Sequence, residues 1–381
     1  MAGKTIYYVA YYDVGMYPHE NRKAGTSNLT KSEYTISSLV SAGYYVEVIS
    51  PAPTSNSKGR YGKHRDQIAD KVNLNLFATV GASSRIGKKI SLFYSLLQVF
   101  IYLIRYVGKN DTVILYHSVV SGIPVLTAKF FKRFNLILEY TEMYQYVYNT
   151  GHLVSKLEYE IVRSADKYIL STELLREQIA DKPYCLNYGV YHAEPTIVEK
   201  YNDGRIHIVF AGIINKEKGA HTIVNVARYL DNTYAIHVIG YGEEHEIVNL
   251  LVLIKEVKPL TDCEIIYDGL LRGKEYTSYL QKCHIGVCSQ DPEALFTTTS
   301  FPSKILSYLS NGLCVVSTRI PSLEVSKIAS FINFYDGDNP KSIAVEIQKM
   351  DSLNMFSGIE YLKEMDRQYV VDIQGLIAHG A

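Results

Sequence analysis

The chain has 381 residues, with 39 basic and 39 acidic side chains, 47% hydrophobic and 20% charged residues. Those proportions exclude a disordered tail, a collagen-like repeat and a small disulfide scaffold, and the length exceeds one ordinary core, so two domains are expected. The five cysteines, Cys185, Cys263, Cys283, Cys288 and Cys314, form no CxxC pair, which points to a reducing compartment and away from a thiolate metal site.

The opening MAGKTIYYVAYYDVG reads as a strand rather than a signal peptide, because no charged segment precedes a cleavable apolar run. A cytoplasmic location is expected. Strand-like runs at Ile6–Ala10, Tyr45–Ile49, Val113–Tyr116, Leu136–Glu139 and Lys167–Leu170 alternate with helical stretches such as Ser32–Ala42 and Leu153–Ala165. That alternation is the mark of parallel α/β layers. The net charge of zero hides a split. Residues 1–193 carry 22 basic and 15 acidic side chains, a balance of +7, and the remainder carries the opposite balance. Most of the basic excess lies between Lys58 and Lys109, with ten Lys/Arg against Asp66 and Asp70. A half so charged either faces an anionic partner or is a solvated surface.

Within that basic stretch, Ile90–Val107 reads ISLFYSLLQVFIYLIRYV. Its polar members Ser91, Ser95, Gln98, Tyr102 and Arg105 are spaced 4, 3, 4 and 3, a narrow stripe beside a very wide apolar sector. Lys88, Lys89, Arg105 and Lys109 bracket it. An arginine inside weakens a transmembrane reading. A helix lying in the headgroup region of an anionic membrane fits better, with burial against the first sheet as the alternative. Ala128–Asn135, AKFFKRFN, repeats the basic-aromatic mixture.

The pattern lapses around Ala193–Arg205, a polar stretch with Pro195 and Gly204 that reads as a linker. It restarts with a strand at Ile206–Phe210, a turn through Gly212, and Lys218-Gly219 leading into a helix. Free amides, the helix dipole and a lysine together favour a phosphate at such a turn. HVIGYGEEHEIVNLL adds a strand, Gly240-x-Gly242 and a helix. The third glycine of a dinucleotide fingerprint is missing, and no earlier GxGxxG opens the chain, so hydride chemistry with NAD is disfavoured. There follow the Asp268-Gly269 turn, a helix at Lys274–Lys282, a strand at Ile285–Cys288, a long polar loop, a helix from Pro302, and a strand at Cys314–Ser317.

Four features in this order resemble the donor domain of the GT-B glycosyltransferases of the retaining type often called group 1 or family 4. They are Gly212-x₅-Lys218-Gly219, Gly240-x-Gly242, Asp268-Gly269, and the helix Pro302-Ser-Lys-x₃-Tyr-Leu-x₂-Gly312. More loosely, Leu157–Thr172 looks like the family's helix ending in Ala-Asp before a strand ending in Ser. CLNYGVY (Cys185–Tyr191) looks like the turn closing the first domain. The resemblance implies two Rossmann-like domains facing across a cleft. An acceptor domain would span 1–193 and a nucleotide-sugar donor domain 194–355. A helical tail, 356–381, would return to the first domain. It implies His117 and Lys218 as catalytic residues, with Gly15, Gly212, Lys218, Gly242, Gly269 and Leu270 at the donor; Glu293, Ser303, Lys304 and Ser307 are expected there as physical replacements for charged residues that the family carries and this chain lacks. Arg22, Lys23 and Glu142 are expected on the acceptor side, with Lys88, Lys89, Arg105 and Lys109 toward a membrane.

The implied reaction transfers a hexose from a nucleotide sugar, UDP being the commoner form, to a lipid-linked or other glycan. Anomeric configuration is retained, in cell-surface polysaccharide assembly of the capsule or O-antigen kind. No metal, other cofactor or nucleic-acid partner is expected. Departures stand against this. Ile213 takes the place of the family's arginine after the first glycine, and Thr299 and Ser307 take the places of its two glutamates. A catalytically silent subunit, or another GT-B enzyme such as an epimerase or phosphorylase, are the alternatives.

Overall fold

A computed structural model of the chain describes residues 4–144, 151–337, 339–350 and 355–378, with no side-chain description for Thr26, Ser27 and residues 355–357. The chain divides into two compact units, one of Met1–Gly189 with Arg367–Ala381, the other of Val190–Asp366.

The first unit is built on strands β1 (Thr5–Val9), β2 (Tyr45–Ser50), β4 (His64–Ala69), β5 (Val72–Leu76), β7 (Thr112–Tyr116), β8 (Asn135–Tyr140), β9 (Lys167–Leu170) and β10 (Tyr184–Leu186), in the order β10-β9-β8-β7-β1-β2-β5-β4. All neighbours run parallel except β4, which is antiparallel to β5 at the edge. Strands buried on both faces read as unbroken apolar runs: every residue of β7, TVILY, is buried. The edge strand β4, HRDQIA, alternates half-buried and exposed residues instead. The sequence reading assigned no strand there, because an edge hairpin needs no apolar run. A small pair, β3 (Arg60–Tyr61) with β6 (Thr79–Val80), lies in the same stretch.

Helices α1 (Thr26–Ser41), α2 (Arg85–Tyr106) and α3 (Val119–Lys132) join the strands. Glu139 on β8 is fully buried and accepts hydrogen bonds from Tyr8 Oη at 2.6 Å and Thr35 Oγ1 at 3.0 Å. Asn187 extends this network, donating to Thr35 Oγ1 at 3.4 Å and to Tyr369 Oη at 3.2 Å. Tyr369 belongs to the last helix, Met355–Ala378, whose residues from Arg367 onward belong to the first unit; Lys167 Nζ donates to its Leu376 carbonyl at 2.6 Å. Of the expected tail, residues 379–381 lie outside the described residues.

The second unit holds β11 (Ile206–Ile213), β12 (Tyr234–Tyr241), β13 (Glu264–Gly269), β14 (Ile285–Cys288), β15 (Cys314–Thr318) and β16 (Ile332–Tyr335), ordered β13-β12-β11-β14-β15-β16 and parallel throughout. Counted within the unit this is 3-2-1-4-5-6, the doubly wound order, which reverses between β11 and β14. The first unit reverses between β1 and β7. Ligands of such sheets bind beyond the carboxyl ends of the strands at the reversal.

Candidate functional site

At the reversal of the second sheet the chain brings three loops together. The turn after β11 runs through Lys218 and Gly219 into the helix Ala220–Val226. Gly219 has φ +86°, and a Cβ there would fall 1.7 Å from the Ser289 carbonyl oxygen, so only glycine lets this turn meet the end of β14. Ser289 Oγ donates to the Gly219 carbonyl at 2.9 Å, and the Asp291 amide to the Glu217 carbonyl at 2.9 Å. The third loop leads to the helix Lys304–Ser310, which starts two residues after the expected Pro302.

Lys304 is the singular residue of this junction. Its ammonium lies 4.0 Å from the Phe210 ring centroid, and a Cβ built on Gly212 would sit 3.3 Å from Nζ. Nζ is buried and donates no hydrogen bond among the described residues. Burial pushes its pKa down. An uncompensated buried ammonium is costly, and an anionic oxygen beside Gly212 would relieve that cost. Lys218 is placed differently. Its ammonium sits over the Phe296 ring, 3.3 Å from the centroid, and its amide donates to Asn215 Oδ1 at 2.8 Å.

The other donor-side residues distribute around these. Gly242 follows β12, where a side chain would strike the Ile214 carbonyl at 2.4 Å. Gly269 ends β13 with φ +69°, and Leu270 beside it is exposed. Ser303 is exposed at the helix start, and Glu293 is an exposed residue of the loop whose amide donates to Asp291 Oδ1 at 2.9 Å. Ser307 lies one turn beyond Lys304 and hydrogen-bonds the phenol of Tyr276, a tyrosine whose pKa burial raises. Thr299 is buried with its hydroxyl unpaired, and Ile213 is exposed. Sequence reasoning missed Phe210, Phe296 and Tyr276, since aromatic residues at ordinary strand, loop and helix positions carry no local signal.

At the reversal of the first sheet, Ala10, Tyr11, Asn28, Ser32, Tyr116, His117, Ser118 and Tyr144 line a cavity. His117 is 1% exposed, and neither ring nitrogen is hydrogen-bonded. Its Nε2 comes within 3.3 Å of Glu158 Oε1 without hydrogen-bond geometry, and that oxygen instead accepts from the Tyr144 amide at 2.9 Å. Sequence reasoning named His117 but not its neighbours in the wall.

Arg22 is a correction. The guanidinium expected on the acceptor side turns into the core, where Nη1 donates to the Ala52 and Phe77 carbonyls at 3.0 and 2.6 Å and Nε to Glu20 at 2.7 Å. Nη2 lies against Glu20 as an ion pair without hydrogen-bond geometry, so the guanidinium is held as a buried charge between backbone and carboxylate rather than presented at the surface. Lys23 beside it is exposed, as is Gly15, whose amide donates to Asp13 Oδ1 at 3.0 Å. Glu142 is half-buried near Lys31, whose pKa burial pushes down against the opposing charges of Glu139 and then Glu142. Lys88, Lys89, Arg105 and Lys109 are all exposed. Among the described residues no group of three or more His, Cys, Asp or Glu is arranged to hold a metal.

Two doubly wound units, the second in the 3-2-1-4-5-6 order, define the chain as a protein of the GT-B fold. No family model and no curated protein matches the sequence. Solved structures do match. HepE of Anabaena in complex with UDP has a TM-score of 0.64 at 10% identity, covering 98% of each chain, and its complex with UDP and glucose a TM-score of 0.64 at 11% identity over the same shares. A UDP-forming α,α-trehalose-phosphate synthase from Burkholderia xenovorans, in complex with glucose-6-phosphate, has a TM-score of 0.63 at 10% identity, covering 98% of each chain.

Proposed function

We propose that this chain is a glycosyltransferase moving a sugar from a nucleotide-sugar donor, UDP-hexose in the first instance, to a sugar or glycan acceptor. The observation that carries the reading is Lys304, an unpaired buried ammonium against Gly212 at the reversal of a nucleotide-fold sheet. Similar folds described in complex with UDP support the choice of nucleotide.

In this mechanism Lys304 and Lys218 stabilise the nucleoside diphosphate as negative charge develops on it. The acceptor hydroxyl attacks the anomeric carbon on the face the diphosphate leaves, so configuration is retained. The bond from anomeric carbon to phosphate oxygen breaks as the new glycosidic bond forms. The departing phosphate takes the hydroxyl proton. His117, neither of whose ring nitrogens is hydrogen-bonded, is the residue to hydrogen-bond a sugar hydroxyl. The finer reading is of the retaining group 1 type, acting in the cytoplasm at the inner face of the cell membrane on a lipid-linked glycan of surface-polysaccharide assembly. The exposed apolar residues of α2 support the lipid-linked acceptor.

Exposed Ile213 and the non-acidic Thr299 and Ser307 favour one second reading, a silent subunit that steadies a partner transferase. Incubation with UDP-hexoses and a panel of oligosaccharide and lipid-linked acceptors, read by mass spectrometry, separates the two. A new glycoside with stoichiometric UDP supports the transferase. Sugar-nucleotide isomerisation without acceptor would identify an epimerase, and no turnover with any pair would favour the silent subunit.

A further inference from the structure

Helix α2 packs inward through Val99 and Leu103, both fully buried, and through most of its polar stripe, Arg105 excepted. Ser95 and Tyr102 are buried, Ser91 Oγ donates to the Val80 carbonyl, Gln98 exchanges hydrogen bonds with Ala78 at 2.8 and 3.1 Å, and Tyr102 Oη reaches Glu47 at 3.3 Å. The opposite face carries Ile86, Ile90, Phe93, Leu97 and Ile101, spaced 4, 3, 4 and 4, each at least 40% exposed. Five aligned apolar side chains in water make a patch that soluble surfaces rarely leave uncovered.

The patch continues onto α3. The rings of Phe100 and Phe131 meet edge-on at 6.4 Å, and Phe130 and Phe131 are 78% and 63% exposed. Between Arg85 and Arg133 the chain has eight Lys/Arg and a single acid, Asp111. Arg85, Lys88 and Lys89 lie at one end of α2, and Arg105 and Lys109 at the other, all exposed.

We propose that the outer face of α2 and the end of α3 form a docking surface for a bilayer with anionic headgroups, α2 lying flat on it. Basic groups at both ends of an apolar strip match a headgroup layer above acyl chains. A second copy of the chain fits poorly, because a twofold contact would set this basic surface against itself. With 22 residues α2 is long enough to span a bilayer, but its hydrogen bonds to Ala78, Val80 and Glu47 fasten it along its length to its own unit. The inference stands apart from the transferase reading, since its test needs no substrate.

The test is co-sedimentation of the full chain with phosphatidylcholine vesicles, with and without about a third phosphatidylglycerol. One variant carries Phe93→Ser, Leu97→Ser, Phe130→Ser and Phe131→Ser, all at exposed positions. A second carries Lys88→Ser, Lys89→Ser, Arg105→Ser and Lys109→Ser. The expected result is pelleting with anionic but not neutral vesicles, weakened more than about tenfold in each variant, with unchanged melting temperatures and a monomeric sedimentation coefficient. Absence of pelleting with anionic vesicles, or equal pelleting by both variants, overturns the proposal. So does a dimer that the first variant dissociates, for then a second copy covers the face.

Discussion

Lys304 shows how far one side chain reports on a site. A buried ammonium without a counter-ion destabilises the folded chain, and removing its charge should do the reverse. Lys304→Met is therefore expected to raise unliganded stability by about 1 kcal/mol in thermal unfolding. The same change should weaken UDP binding by about 2 kcal/mol, or roughly 30-fold, since a charge-assisted contact to phosphate is lost. A merely structural lysine would lose stability instead. The pH dependence follows from the lowered pKa. Bound diphosphate favours the protonated amine, so affinity falls as pH rises through the unliganded protein's pKa, at lower pH than the roughly 10.4 of a free lysine. Calorimetric titrations from pH 7 upward measure that midpoint, and Lys304→Met should abolish it.

Among elements, the histidines of the second sheet carry a separate titration. His207 on β11 and His237 on β12 meet at 2.7 Å, Tyr279 Oη lies 2.6 Å from His237 Nδ1, and Tyr201 stacks over His207 with ring centroids 4.0 Å apart. Burial first, then the neighbouring His207, pushes the His237 pKa down to about 4. Between that value and the ordinary one near 6.5, the unfolded chain binds the proton the folded chain refuses. Stability is therefore full above about pH 6.5 and lost as pH falls toward 4, by about 3 kcal/mol. Urea unfolding at pH 7 and pH 4.5 should show that loss, and His237→Asn should reduce it, leaving the part that comes from His284, whose pKa burial also pushes down to about 4. In the first unit, Tyr8→Phe leaves one Glu139 oxygen without its donor, and a cost of about 1–3 kcal/mol is expected in the same assay.

For the whole molecule, what could be read from the sequence was what periodicity and turn chemistry carry. The parallel strands announce themselves because burial on both faces demands apolar runs, and the glycine turns because only glycine tolerates those backbones. The edge hairpin around β4 was silent, since half its side chains face water. The surroundings of Arg22 were hidden for a related reason: its partners, Glu20 and the Ala52 and Phe77 carbonyls, include groups 30 and 55 residues away that no spacing reveals. The stripe of α2 was visible, but a period cannot tell which face turns inward. Only the hydrogen bonds of Gln98 and Tyr102 decide that.

The central claim is that the second unit holds a nucleoside diphosphate at Lys304. Calorimetric titration of UDP and GDP into the full-length protein and into Lys304→Met tests it most directly. The account predicts binding of UDP in preference to GDP by the unaltered protein, and a loss of about 30-fold in the variant. Failure of both nucleotides to bind, or equal affinity for the variant, would contradict it and leave the silent-subunit reading in its place.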